Sequence, residues 1–299
     1  MNEKTKRALA NAALLLTGAI WGGGFVVMKN ALESIPVNYL LAIRFAIGAA
    51  GLGFSLFRGR QKLTRSLLLH SAIVGLLLYL SFAVQTYGLV FTTAGKSALI
   101  TAVYVVLVPL FGWILYKKRP EGRILIAAGV MLLGIALLSW PGKSRVNIGD
   151  MMTLICGVLY AVEIMAVDRY GQNVDIFQFS CLQFAFAAAF ALIPALLFEK
   201  FPASWTPDML GAMAYCGLAA TLIAMTLMNI GIRYASPNYA SLFMSTESAF
   251  GFIFGVLFLQ ERMNLRMAVG CASVLMALVL SQLQFTKKHE GIQNGISGL

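Results

Sequence analysis

Three ionisable residues lie deep within apolar stretches of this sequence, namely Arg44, Glu163 and Glu247. A charge at the centre of a bilayer helix costs about 2.5–3.5 kcal/mol on insertion scales, so such a residue is a functional candidate by default. Burial disfavours the charged form of a carboxylate, so Glu163 and Glu247 can be neutral in one conformation and charged in another. Both are therefore candidates for proton coupling and for lining a pathway. The alternative is a neutral acid that donates one hydrogen bond between helices.

Arg44 lies about seven residues into its apolar stretch, and its residue type allows three roles. It can be structural, pairing with a carboxylate or with a freed carbonyl, or snorkelling towards the headgroups. It can instead recognise the carboxylate of a substrate, or take part in coupling. The sequence leaves these roles open.

Small polar residues also recur at helical spacing. Residues at i, i+4 and i+7 share one face of a helix, and Ser97, Thr101 and Tyr104 have this spacing. Ser245 belongs to a second such stripe, at positions 241, 245 and 248. Because small polar residues are common at helix contacts in membranes, either stripe fits packing as well as a pathway.

Two further pairs are candidates for contact with a substrate. Gln85 and Asn229 each offer a side-chain amide within an apolar stretch. Trp21 and Tyr160 supply aromatic rings, which suit an amphipathic substrate. Trp21 begins the run "WGGGF", whose glycines allow either a close helix contact or a bend.

The composition identifies a membrane protein. Of 299 residues, 59% are hydrophobic and only 12% are charged, whereas soluble domains carry about 25% charged residues. A helical crossing needs about 20 apolar residues. Ten stretches are predicted to span the bilayer: 8–28, 37–57, 67–90, 95–116, 123–140, 150–168, 176–198, 209–233, 237–259 and 265–284.

The net charge of +11 sits in short clusters between these stretches. In the first half of the chain, eleven Lys and Arg residues fall on the side of the N-terminus and two, Lys29 and Lys96, on the other. Positive loops are held on the cytoplasmic side, so both termini are predicted to be cytoplasmic and nucleic-acid binding is not expected. The four cysteines have no paired spacing, and we expect no disulfide, metal or cofactor.

The sequence also matches itself weakly. One self-alignment pairs Trp21 with Tyr160 and "RFA" at 44–46 with "QFA" at 183–185, and a second pairs Gly88 with Gly231. Five spans followed by five spans place the two halves upside down to one another, as in many secondary transporters. We therefore predict an all-α polytopic membrane protein with ten transmembrane helices in two inverted five-helix repeats, 8–140 and 150–284, and a flexible cytoplasmic tail at 285–299.

Several segments carry a family resemblance: "AIWGGGFVVMK", "RFAIGA", "YGLVFTTAGKSALITAVYVVLVPLFGWILYKKRP", "GVLYAVEIMAVDRY" and "ASPNYASLFMSTESAFGFIFGVLFLQER". Over residues 8–284 the chain resembles the EamA-type branch of the drug/metabolite transporter superfamily. The resemblance implies ten helices in two inverted halves and the export or exchange of small metabolites across a bacterial inner membrane.

Two residues depart from the family pattern. Family members often have Glu-Pro where this chain has Glu247-Ser248, so the proline that would break the ninth span is missing, while Pro109 keeps a break in the fourth. A carboxylate at Glu163 is also not something the family pattern implies.

The favoured function is a secondary transporter, an exporter of small metabolites such as amino acids or related amphipathic compounds, with or without proton coupling. An uncoupled facilitator is the first alternative. An intramembrane enzyme is a weaker one, because the histidines, His70 and His289, stand outside any hydrolase or metal motif. The expected partners are a small-molecule substrate and the lipid bilayer, without nucleic acid, and a homodimer stays open.

Overall fold

The computed structural model describes residues 3–58, 62–92, 94–117, 119–139, 147–259 and 265–282, so the predicted tail at 285–299 lies outside it. Within these ranges every regular element is helical. The helices are α1 (Glu3–Ala31), α2 (Val37–Leu52), α3 (Phe54–Arg58), α4 (Arg65–Phe91), α5 (Ala94–Thr101), α6 (Tyr104–Tyr116), α7 (Gly122–Ser139), α8 (Ile148–Tyr170), α9 (Ile176–Phe198), α10 (Pro207–Ala214), a π-helical segment (Tyr215–Ile223), α11 (Ala224–Ala235), α12 (Pro237–Met244), α13 (Glu247–Leu259) and α14 (Leu265–Gln282).

Among the described residues, six helical stretches are long and apolar enough to cross a bilayer. Shorter apolar helices cover Tyr104–Tyr116, Gly122–Gly134 and Ala268–Leu280. The six long stretches are Thr5–Ala31, Val37–Arg58, Arg65–Phe91, Ile148–Tyr170, Ile176–Phe198 and Pro207–Ala235. The prediction of a polytopic all-α membrane protein is confirmed.

Side-chain caps fix where several helices begin. The Thr64 hydroxyl accepts the backbone N–H of Leu67 at the start of α4. Asn147 and Asp150 form a reciprocal capping box at the start of α8, and Asp175 accepts two backbone N–H groups at the start of α9. These caps satisfy amides that have no partner inside their own helix, which matters more in lipid than in water.

The ninth span is broken, although it lacks the proline. α12 ends at Met244 and α13 begins at Glu247. The hydroxyls of Ser245 and Thr246 donate to the carbonyls three residues earlier, at 2.9 and 2.6 Å. Ser and Thr hydroxyls satisfy carbonyls that a helix break frees, so these two residues support the break without a proline.

The expectation that Pro109 breaks the fourth span is wrong. Pro109 lies inside α6, and the break lies earlier, between Thr101 and Tyr104. A glycine of another helix packs against each break. An added Cβ at Gly157 would lie 3.0 Å from the Thr101 carbonyl oxygen, and one at Gly18 would lie 3.1 Å from that of Met244.

Helix bounds recur along the chain. α5 and α12 end, and α6 and α13 begin, in the register that pairs Gly88 with Gly231: at Thr101 and Met244, and at Tyr104 and Glu247. α2 and α9 begin in the register that pairs Trp21 with Tyr160. The packing follows the same pairing: α1 packs on α11, α12 and α13, while α8 packs on α4, α5 and α6. α2 packs on α9, and α7 packs on α14.

Candidate functional site

A cavity lies where both broken helices meet α1, α2, α4, α8 and the π-helical segment. Its volume, taken as the space open to the centres of water molecules, is about 40 Å³, room for a few waters. Its lining contains Trp21, Gly24, Phe25, Met28, Arg44, Phe82, Gln85, Thr101, Tyr104, Tyr160, Ile164, Cys216, Ala220, Met228, Met244 and Glu247.

The cavity gathers most of the candidates named from sequence. Seven of them line it: Trp21, Arg44, Gln85, Thr101, Tyr104, Tyr160 and Glu247. Four others are buried elsewhere: Ser97, Glu163, Asn229 and Ser245. The lining is mainly aromatic and aliphatic with a few polar groups, which is the usual composition of a small-molecule site.

Arg44 projects from α2 and is 1% exposed. Its Nε donates to the Thr221 hydroxyl at 2.9 Å, and its guanidinium carbon lies 4.4 Å from the centre of the Phe82 ring. Its Nη1 is buried without a hydrogen-bond partner among the described residues. Arg44 therefore keeps unused donor capacity at the cavity wall.

Glu247 is the first residue of α13 and is 4% exposed. Of all residues in the described part of the chain, none forms an ion pair or a side-chain hydrogen bond with its carboxylate. The N-terminus of a helix carries a partial positive charge, which favours a carboxylate at this position. Tyr160 lines the same cavity as Arg44 and Glu247.

The aromatic candidates form two sides of the cavity. Trp21 is fixed by a hydrogen bond of 3.0 Å from its Nε1 to the Ala220 carbonyl. Tyr160 packs edge-on against Phe82, with 5.5 Å between ring centres. Tyr104 lies 6.4 Å from the ring of Tyr160, and its buried hydroxyl has no partner within the described ranges. The hydroxyl of Tyr104 is thus another polar group at the cavity wall that these residues leave unsatisfied.

Gln85 and Thr101 meet in the cavity wall, where the Gln85 Nε2 donates to the Thr101 hydroxyl at 3.1 Å. Asn229, the other amide candidate, belongs to a separate buried cluster. There the Asn229 Nδ2 donates to Ser180 and to Gln183, at 2.9 and 2.8 Å.

Glu163 completes that second cluster. Its Oε1 accepts the Gln183 Nε2 at 2.9 Å, while its Oε2 is buried with no partner in the described chain. The cluster thus joins α8, α9 and α11 through Glu163, Gln183, Asn229 and Ser180. We call these four residues the α8–α9–α11 cluster. Ile164 and Met228, the sequence neighbours of Glu163 and Asn229, line the cavity, so the cluster adjoins the helices that form its wall.

The remaining candidates lie in helix contacts. Ser245 is fully buried and donates within its own helix break. Ser97 is also fully buried, and its hydroxyl finds no partner among the residues that the structure describes.

Sequence reasoning missed the apolar residues that complete the wall, among them Met228 and Met244. A signal for them existed. In the self-alignment that pairs Gly88 with Gly231, Gln85 falls on Met228 and Thr101 on Met244. The same register places Tyr104 on Glu247. This register pairs Gln85 with Met228 and not with the adjacent Asn229.

The π-helical segment is the other feature that the sequence did not indicate. It places Cys216 and Ala220 in the cavity wall and Thr221 beside Arg44. The Thr221 hydroxyl also donates to the Cys216 carbonyl, at 2.7 Å. Such wide turns are frequent at functional sites, because they redirect side chains within a helix.

Polar contacts join the first and second parts of the chain at two separate levels. Where α4 ends, Thr92 donates to Asp150 at 2.6 Å, and the Asn38 amide donates to Glu199 at 2.8 Å. Where α8 ends, the Tyr116 hydroxyl donates to Asp168 at 2.8 Å. The cavity lies between these two sets of contacts.

Known proteins resemble this chain along most of its length. A family model described as the EamA-like transporter family matches residues 8–140 and 147–283. An uncharacterized transporter of Archaeoglobus fulgidus is 29% identical over 286 residues, which are 94% of this chain and 88% of that protein. An uncharacterized inner membrane transporter of Escherichia coli, YedA, is 29% identical over 240 residues, 77% of this chain and 76% of that protein.

One solved crystal structure has the same fold. It superimposes with a TM-score of 0.76 at 19% sequence identity and covers 91% of this chain and 96% of its own. At this identity the likeness concerns the fold alone.

Proposed function

This chain belongs to the EamA-like transporter family, within the drug/metabolite transporter superfamily, and from that premise we propose that it is a secondary transporter of small amphipathic metabolites, such as amino acids. The observation that carries the proposal is the buried cavity. The Arg44 Nη1 and the Tyr104 hydroxyl are buried there without a hydrogen-bond partner in the described chain, and the buried carboxylate of Glu247 lines the same cavity. Unsatisfied buried groups are costly, and they are retained where a ligand satisfies them.

In this proposal the membrane contains ten crossings, in two inverted halves, 8–140 and 150–284. The matching positions of the two helix breaks and the exchanged packing partners of α1 and α8 support it. Transporters built from inverted repeats place the substrate near the midplane, beside discontinuous helices. The first residues of α6 and α13, Tyr104 and Glu247, line the cavity in the way that plan requires.

The two halves alternate access to the cavity by rocking against one another. The contacts Thr92–Asp150 and Asn38–Glu199 close one end, and Tyr116–Asp168 closes the other. Each set must break in turn when its own end opens. The small cavity fits a state in which both ends are closed.

The proposed location is the bacterial inner membrane with both termini cytoplasmic, and the direction is export. The eleven-to-two charge bias of the first half supports the orientation, and the inner membrane agrees with the description of YedA. A reporter fused after residue 299, with a second fused after residue 31, tests the orientation. The first should report the cytoplasm and the second the opposite side.

Glu247 is the proposed coupling group, since its carboxylate is buried at the cavity and has no partner in the described ranges. Proteoliposomes with an imposed pH gradient test coupling. A coupled carrier accumulates substrate above the outside concentration while the gradient lasts. An uncoupled facilitator equilibrates the substrate at any gradient, and that result removes coupling from the proposal while leaving transport in place.

A further inference from the structure

Arg44 is a buried cation in largely apolar surroundings. It is 1% exposed, and it contacts the Thr221 hydroxyl and the faces of Phe82 and Phe45. A cation over an aromatic ring is attracted by the ring, but the gain is smaller than the cost of taking an ion out of water. The aromatic contacts therefore offset only part of the cost of burying Arg44.

No carboxylate of the described chain pairs with Arg44 to offset the rest of this cost. Glu163 accepts from Gln183 in the α8–α9–α11 cluster, and Glu247 forms no ion pair with Arg44. The guanidinium Nη1 has no hydrogen-bond partner among the same residues. A buried charge is retained only when something pairs with it.

The fold has no need of a cation at this place. In the self-alignment that pairs Trp21 with Tyr160, Arg44 falls on Gln183 of α9, the helix that packs against α2. Gln183 is neutral and fully buried, and both ends of its amide are hydrogen-bonded. Since the equivalent position packs well with a neutral side chain, the charge of Arg44 serves something other than packing.

We infer that Arg44 binds the anionic group of the substrate, so that the transported molecules carry a carboxylate on an apolar body. This inference rests on the proposed transport function and defines the substrate class of the same cavity. A guanidinium presents paired donors that match a carboxylate. The apolar body lies against Trp21, Tyr160 and Phe82, which form the aromatic part of the wall.

The first test uses ligand-free protein and needs no knowledge of the substrate. Arg44→Met removes the unpaired charge and leaves Thr221 bonded to the Cys216 carbonyl. The melting temperature in detergent should rise by a few degrees, roughly 2–4 °C. Gln183→Met is the matched contrast at the equivalent position, and it should lower the melting temperature. A lowered melting temperature for Arg44→Met overturns the inference, because it marks Arg44 as structural.

The second test measures binding by thermal shift with probes that share one apolar body. L-phenylalanine and 3-phenylpropionate carry the carboxylate, and 2-phenylethylamine lacks it. The expected result is stabilisation by at least one carboxylate probe and none by the amine, with the shift lost in Arg44→Gln and kept in the exposed control Arg58→Gln. Stabilisation by the amine alone, or a carboxylate shift that persists in Arg44→Gln, overturns the inference.

Transport of a bound probe separates the two proposals. If a probe is transported by wild type and by Arg44→Gln at equal rates, the transport function stands and the role of Arg44 fails. If a probe binds in an Arg44-dependent way but never crosses the liposome membrane, the role of Arg44 stands and the transport function fails.

Discussion

Tyr104 and Glu247 occupy the same place in two equivalent broken helices. Each is the first residue of the helix that follows a two-residue break, and both line one cavity. The two halves thus present different chemistry at one position, a phenol from the first and a carboxylate from the second. If the two halves form the proposed inverted repeat, its pseudo-twofold axis relates these two residues. The two backbone positions are equivalent but their side chains differ, so the cavity has one acidic side.

Glu247→Gln should uncouple transport without unfolding the protein. The carboxylate has no partner in the described chain, so an amide of equal size breaks no hydrogen bond there and the melting temperature should stay close to that of wild type. Substrate accumulation driven by a pH gradient should be lost, because an amide cannot take up and release a proton. Exchange of labelled substrate at equal pH should continue.

Proteoliposomes with and without a pH gradient check this prediction, and Glu33→Gln, an exposed carboxylate away from the cavity, is its control. Wild-type accumulation by Glu247→Gln would falsify a coupling role and assign Glu247 to helix packing.

Asn229→Leu should lower the thermal stability of the protein and leave substrate recognition unchanged. The substitution removes donors to Ser180 and Gln183 and leaves their oxygens unsatisfied. Interhelical hydrogen bonds in membranes average about 0.6 kcal/mol, and orphaned acceptors add to the loss, so a total of about 1–3 kcal/mol is expected.

The thermal stability of Asn229→Leu should fall, while the KM of the folded fraction stays that of wild type. Ser180→Ala, which removes one acceptor only, is the milder matched variant and should lose less. A raised KM with unchanged stability contradicts this prediction and places Asn229 in the pathway.

The sequence was sufficient for the class of fold and for seven of the sixteen residues that line the cavity. Apolar stretches and charge clusters mark membrane helices, because bilayer thickness fixes their length. Buried polar residues such as Arg44 and Glu247 stand out against an apolar background, so their functional candidacy is readable. The separation of Glu163 from the cavity could not be read from the sequence. It depends on the rotation of α8 against α9, which periodicity alone does not determine.

The position of the helix breaks was also beyond sequence reasoning. Pro109 suggested a break but lies within α6, while Ser245 and Thr246 carry no comparable signal. Proline is tolerated inside membrane helices when neighbours satisfy the freed carbonyl. Breaks here are set by packing between helices, with Gly18 and Gly157 as the close contacts.

Gly18→Ala and Gly157→Ala should both destabilise the protein and slow transport. An added Cβ would lie 3.1 Å from the Met244 carbonyl oxygen in one case and 3.0 Å from that of Thr101 in the other. Overpacking of this kind costs about 1–3 kcal/mol. Melting temperature and initial transport rate measure the two effects.

Gly129→Ala is the control for these two variants, since a Cβ there meets nothing within 4 Å. It should be neutral or stabilising, by up to about 1 kcal/mol from helix propensity. Equal behaviour of the three variants refutes a special role for the glycines at the breaks.

Ser248→Pro should be tolerated, although it places a proline inside the ninth span. Ser248 is the second residue of α13, where proline is accepted because amides in the first turn lack helical partners. The substitution removes two long contacts, from the backbone N–H to the Ser245 carbonyl at 3.4 Å and from the Ser248 hydroxyl to the Ala98 carbonyl at 3.5 Å. Because the break already exists, the fixed φ of proline should stabilise the folded protein by about 0.4–1 kcal/mol, since it lowers the conformational entropy of the unfolded chain.

Ala249→Pro, one residue further along, is the matched variant, and the melting temperature and transport rate of both variants are measured. If Ser248→Pro lowers the melting temperature and the transport rate as much as Ala249→Pro does, the prediction that the existing break accommodates a proline at Ser248 is wrong.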